Sequence, residues 1–72
     1  MPLVYYTLSR DSVYRRPESG EYITEYLDWG TGGWTTGFET RCFTSNRVKA
    51  KIEFNKTQGS RLELREFELK AR

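Results

Sequence analysis

The chain has no histidine, and Cys42 is its one cysteine. A zinc site of the usual kind draws about four ligands from Cys and His, so the donors for it are missing. Neither a Ser-His nor a Cys-His nucleophilic pair can be assembled. Carboxylates are left as the acid–base groups. Glu21 and Glu25 share one face of an extended segment, yet no second pair accompanies them, and general acid–base work needs a cleft that perturbs a pKa. Cys42 beside Arg41 reads as a small buried hydrophobe. The expectation is a protein that is not an enzyme, with no catalytic residues, metal, cofactor or small-molecule substrate.

Two other stretches could bind rather than react. The first is Trp29-Gly30-Thr31-Gly32-Gly33-Trp34. Glycine loops that cradle phosphate lead into a helix, whose free N–H groups face the anion. Here the run leads into a strand-like segment, lacks a Gly-Lys-Ser/Thr ending, and does not fit G-x-G-x-x-G, which would need glycine at position 35. It reads as a hairpin turn clasped by two tryptophans, with Trp29 facing Trp34. Trp29, Trp34, Tyr22 and Tyr26 are then the candidate protein contacts, since Trp and Tyr are favoured interface anchors.

The second is Arg47-Val48-Lys49-Ala50-Lys51-Ile52-Glu53-Phe54, with every even position apolar and every odd one charged. That alternation predicts a half-buried strand with a basic wet face. Arg41, Arg47, Lys49, Lys51, Lys56 and Arg61 are the candidate nucleic-acid contacts. The distribution of charge supports the choice. Residues 1–40 carry three arginines against six carboxylates, whereas 41–72 carry nine bases against four carboxylates. Bases in a row beside aromatic rings can follow a single strand while its bases stack. Cross-strand pairing with Glu63, Glu66 and Glu68 would instead make the same face ordinary sheet surface.

The elements that would position these residues are strands. Leu3 to Leu8 is rich in β-formers and continues towards Val13-Tyr14 past a kink at Arg10-Asp11-Ser12. Pro17-Glu18-Ser19-Gly20 is a turn. Glu21 to Trp29 and Trp34 to Phe43 flank the glycine run, with Ile23, Leu27, Trp29, Trp34 and Phe38 on the core face and Tyr26 opposite Gly37. Thr44-Ser45-Asn46 is a short turn and Asn55 to Ser60 a hairpin loop. The last strand alternates through Leu62, Leu64, Phe67, Leu69 and Ala71, with a bulge at Arg65-Glu66 where the phase slips. A C-terminal helix over 61–72 is the rival there, because Ser60 and Glu63 have capping-box spacing.

The fold class expected is all-β: one small domain over residues 1–72, an antiparallel meander of about five strands. Its length and strand count resemble SH3-like and OB-like barrels, a fold-level analogy into which the sheet could curl. Gly37 to Phe43 begins Gly-Phe and ends in Phe but lacks the rest of the RRM signature. At 72 residues, with 36% hydrophobic and 15% aromatic content, the core is small and a partner could supply part of the stability. One cysteine, and no apolar run of signal-peptide length, lead to a cytoplasmic location with no membrane contact.

The function expected is that of a small non-catalytic protein-binding module. It would be an accessory or inhibitor-type protein docking on a larger assembly through aromatic anchors and strand edges. Compact accessory proteins of viral type have this build. The alternative is a single-stranded nucleic-acid binder using the basic face of strand 47–54.

Overall fold

The run Val4-Tyr5-Tyr6-Thr7 opens a strand of 13 residues, β1 (Leu3–Arg15), as β-branched and aromatic side chains favour. The computed structural model describes residues 3–69. After β1 come β2 (Tyr22–Leu27), β3 (Trp34–Thr35), a single 3-10 turn (Thr40–Cys42), α1 (Arg47–Lys56) and β4 (Glu63–Leu69). The turn between β1 and β2 is closed by Gly20 N–H donating to Arg16 C=O and Arg16 N–H to Glu21 C=O, both at 2.8 Å. Gly20 supplies its left-handed φ of 72°, where glycine pays no Cβ penalty.

The sheet is antiparallel in the order β3-β2-β1-β4. Its central strand is shared in two halves. Leu3 to Ser9 pair with β4, and Ser9 to Arg15 pair with β2. The register against β2 shifts between Asp11 and Arg15, close to the expected kink. Where β2 has ended, Thr44 takes its place. Tyr6 and Thr44 exchange both backbone hydrogen bonds, at 2.8 and 3.0 Å. On one face of the sheet Leu8 and Leu27 are buried with Ala50 of α1 and Cys42. Those four are the buried apolar residues among the described ones.

Several expectations are corrected. The fold is mostly β rather than all-β, with four strands instead of about five, and the sheet stays open rather than closing as an SH3-like or OB-like barrel. Residues 47–54, expected as a strand with a basic face, are helical. Asn46 caps that helix, its side chain accepting from Lys49 N–H at 3.0 Å, and Lys, Ala and Glu are good helix formers. Both sides of β1 are taken, by β4 on one and by β2 with Thr44 on the other, so this segment cannot pair with the central strand. The loop expected from Asn55 begins at Thr57 instead, since Asn55 and Lys56 belong to the helix.

The segment 34–43 is a strand only at Trp34 and Thr35. Leu27, not Trp29, lies opposite Trp34, and Tyr26 pairs with Thr35 rather than Gly37. The loop is thus two residues longer than expected, because Asp28 belongs to it: its Oδ1 accepts from Gly30 N–H at 2.8 Å and Thr31 N–H at 3.2 Å. β4 is a strand, which removes the rival helix over 63–69, and its pairing runs from Glu63 to Leu69 without the bulge expected at Arg65-Glu66. Ala71 lies outside the described residues.

Candidate functional site

Alternate residues of a strand point to opposite faces. Even positions of β1, Leu8 and Arg10 among them, face α1 and the loop that follows it, where Arg10 Nη1 donates to Gln58 C=O at 3.0 Å. Odd positions face the other way and carry the candidate site. Tyr5 lies opposite Phe67 of β4, and Tyr26 of β2 lies opposite Ser9. Because Thr44 continues the ladder beside Tyr6, the preceding residue Phe43 falls on the Tyr5 face. Phe38, in the loop after β3, folds back onto Tyr26.

The result is a cluster of rings across three strands. Tyr26 stacks on Phe38 with centroids 4.5 Å apart and planes 23° from parallel. Phe38 lies 5.0 Å from Phe43, and Phe43 meets Phe67 edge-on at 5.5 Å and Tyr5 at 6.4 Å. Offset-stacked and edge-to-face contacts of this kind are each worth about 0.5–1.5 kcal/mol beyond area. Thr7 and Ser9, on the same face, are buried. Small side chains there let the rings approach the sheet. Yet the rings are not buried themselves: Tyr5, Tyr26, Phe43 and Phe67 are half-buried and Phe38 is 51% exposed. Tyr5, Thr40, Phe43 and Phe67 surround an open hollow of about 490 Å³. Among the described residues of its lining, the polar side-chain groups are the hydroxyls of Thr40 and Tyr5.

The other end of the same face is charged. Ser9, Asp11, Thr24, Arg61, Glu63 and Arg65 line a shallow cleft. Its charges are balanced in pairs, Arg61 Nε lying 3.7 Å from Asp11 Oδ2 and Arg65 Nη2 3.1 Å from Glu63 Oε2. No group of three or more His, Cys, Asp or Glu among the described residues is placed to hold a metal ion.

The expected protein contacts are scattered. Trp29 is half-buried in the loop, and its Nε1 donates to Cys42 C=O at 3.0 Å. Trp34 is half-buried under the Arg10 guanidinium, 3.9 Å from the ring centroid. Tyr22 is exposed at the far end of β2, its hydroxyl accepting from Arg15 Nη2 at 2.6 Å. Tyr26 alone of the four belongs to the ring cluster.

The expected nucleic-acid contacts do not form one surface either. Arg47, Lys49, Lys51 and Lys56 are exposed on α1, but at about 100° per residue they point around its circumference instead of along one face. Lys56 pairs with Glu53 at 3.0 Å. Arg41 is exposed on the 3-10 turn. Arg61 is exposed beside Asp11.

Phe38, expected on the core face with Trp29 and Trp34, is instead exposed and stacked on Tyr26 of the other face, because the chain leaves the sheet after Thr35. Tyr5, Phe43 and Phe67 were not among the expected contacts. Alternation in β1 and β4 could have placed Tyr5 and Phe67 on one face. The sequence carries no comparable signal for Phe38 and Phe43, which arrive from irregular chain. The class defined by this arrangement is an open four-stranded antiparallel sheet, covered on one face by a helix and bearing half-exposed rings on the other. Comparison with protein-family models, with curated proteins and with solved structures found no match.

Proposed function

We propose that the chain is a non-catalytic protein-binding module whose aromatic face seats on a larger protein. One observation carries the reading. Four of the rings that a small domain would be expected to bury are half-buried and the fifth is exposed, all on one face, and three of them, Tyr5, Phe43 and Phe67, line an open hollow. An exposed apolar patch of this kind marks an interaction surface. Among the described residues the hollow is lined by three rings and Thr40, with no charged side chain, whereas small-molecule sites add to apolar walls a few precisely placed polar groups that fix orientation. An apolar side chain projecting from a protein partner suits it better.

The rival reading, single-stranded nucleic-acid binding, needs bases and rings on one surface. Here the bases of α1 and the ring cluster lie on opposite faces of the sheet. Arg61 and Arg65, on the ring face, each sit against a carboxylate.

The test is affinity capture from the source cells with four versions of the chain. Phe38→Ser removes an exposed ring and Thr40→Glu places a carboxylate at the hollow, while Lys49→Glu/Lys51→Glu alters the helix. A partner held by the wild type should be lost with the first two and kept with the third, with circular dichroism unchanged throughout. Loss of a ring that anchors an interface costs about 2 kcal/mol or more, roughly thirtyfold in affinity. Equal recovery by Phe38→Ser and Thr40→Glu would refute the proposal.

A further inference from the structure

β4 is the edge of the sheet, and its hydrogen-bonding direction can be worked out. Tyr6 spends both its backbone groups on Thr44, on the side away from β4. Asp11, of the other parity, donates in the opposite direction, to Ser60 C=O at 2.9 Å. Tyr6 and Glu66 are therefore a non-hydrogen-bonded pair of the antiparallel ladder. The N–H and C=O of Glu66 point outward, as do those of Leu64 and Glu68 one step away on each side. No backbone hydrogen bond from another described residue reaches them. Seven residues of regular strand thus present an open ladder.

Side chains along this edge select what can pair with it. Glu66 and Glu68 are exposed on the helix side, and Arg65 and Phe67 stand on the ring side. A second copy of the chain is a poor match. Antiparallel pairing about a two-fold axis sets like against like at the centre: Glu66 on Glu66, Arg65 on Arg65, or Glu66 on Glu68 when the centre is Phe67. Like charges directly opposite are destabilising, and charged edges are how sheets avoid self-association. A strand with bases opposite Glu66 and Glu68 meets the reverse situation. On the ring side its next residue would lie one strand spacing, about 4.8 Å, from Phe67, which is a wall of the hollow.

We infer that β4 is a strand-addition site for an extended segment of a partner protein that alternates basic and large apolar residues. The bases face Glu66 and Glu68, and the apolar residues extend the ring cluster from Phe67. The inference rests on the protein-binding reading and adds the conformation and charge of what is bound. Strand addition takes affinity from the main chain and specificity from alternate side chains.

The probe is a capped peptide alternating Lys and Phe over seven residues, compared with its Glu–Phe counterpart and with a peptide of the same composition whose lysines are clustered. Anisotropy gives affinity, and amide hydrogen exchange reports on Leu64, Glu66 and Glu68. The alternating Lys–Phe peptide should bind at least tenfold more tightly than the other two and slow exchange at those three amides. Glu66→Lys/Glu68→Lys should reverse the preference towards the Glu–Phe peptide. Glu66→Pro deletes an outward N–H without touching the β1–β4 ladder, a position where an edge strand tolerates proline, so it should fold and fail to bind. No binding, equal binding of the three peptides, or protection elsewhere than β4 overturns the inference. In the capture experiment, a partner lost with Phe38→Ser but kept with Glu66→Pro sinks strand addition alone. The opposite pattern sinks the aromatic-face reading and leaves strand addition standing.

Discussion

Replacing Arg10 by methionine should unfold the protein well below its normal midpoint. Arg10 Nε donates to Glu25 Oε1 at 2.7 Å, with the two side chains 26% and 16% exposed. Its guanidinium lies 3.9 Å from the Trp34 ring centroid, and Nη1 reaches the carbonyl of Gln58. One side chain thus ties β1, β2, β3 and the loop after α1. Methionine keeps the stem and removes every polar contact. A hydrogen bond to a charged group is worth about 1.5–3 kcal/mol, and a cation–π contact near the surface about 0.5–1 kcal/mol. Partial exposure of the ion pair lowers the sum, leaving about 2–3 kcal/mol. For a domain this size that is a fall of roughly 10–20 °C in Tm. Urea unfolding of wild type, Arg10→Met, Glu25→Gln and the double variant gives the coupling, expected at about 1–2 kcal/mol. A loss below about 0.5 kcal/mol with no coupling would refute the reasoning, placing the pair with exposed ion pairs that contribute little. Gly59 supplies an independent check. A Cβ there would come within 2.8 Å of Arg10 Cδ, so Gly59→Ala should destabilise the wild type and be nearly neutral beside Arg10→Ala.

Other outcomes follow from single contacts. Asn46→Ala removes the cap on Lys49 N–H and should lower stability by about 1 kcal/mol, seen as a lower urea midpoint with an unchanged slope. Gly32 holds φ at 79°, so Gly32→Ala should cost about 1 kcal/mol by the same measurement. Val48 and Ile52 are 69% and 54% exposed, so Val48→Ser/Ile52→Ser should shift stability by no more than about 0.5 kcal/mol per site. A large loss would mean these side chains are buried, as a strand would have required. Leu8 is fully buried, and Leu8→Ala should cost about 2–5 kcal/mol, enough to leave much of the chain unfolded by circular dichroism.

The strands were legible where local pattern and tertiary role agree. β1 was readable from Val4-Tyr5-Tyr6-Thr7, the turn at Pro17 to Gly20 from its two punctuating residues, and β4 from Leu64, Phe67 and Leu69. The helix was not. Its alternation, Val48, Ala50, Ile52, Phe54, is among the most regular in the chain, yet Ala50 is buried and Phe54 half-buried while Val48 and Ile52 lie outside. Period alone misled because local signals pulled the other way: Asn46 at the cap, and Lys, Ala and Glu with higher helix than strand preference. The glycine run was recognised as a turn, but its register depended on Asp28 accepting two amide hydrogens, and so the pairing of the tryptophans was misplaced. Of the candidate site, Tyr26 was named from the sequence as a contact, Phe38 was expected on the opposite, core face, and Phe43 was not placed. The place of both phenylalanines depends on the path of residues 36–44 around the end of β2, which neither period nor propensity encodes.

The divided pairing of β1 also sets an order of events. Its second half meets β2 across a short turn, a local closure that forms in about 1–10 μs for a hairpin. Its first half meets a strand some sixty positions away in the chain, and non-local pairings of that kind form slowly. Until β4 arrives, Leu3 to Ser9 offers the aqueous phase an unsatisfied ladder. The interval between hairpin closure and β4 docking is therefore the time at which this chain is most exposed to aggregation, and changes that weaken β4 lengthen it even when the finished fold tolerates them.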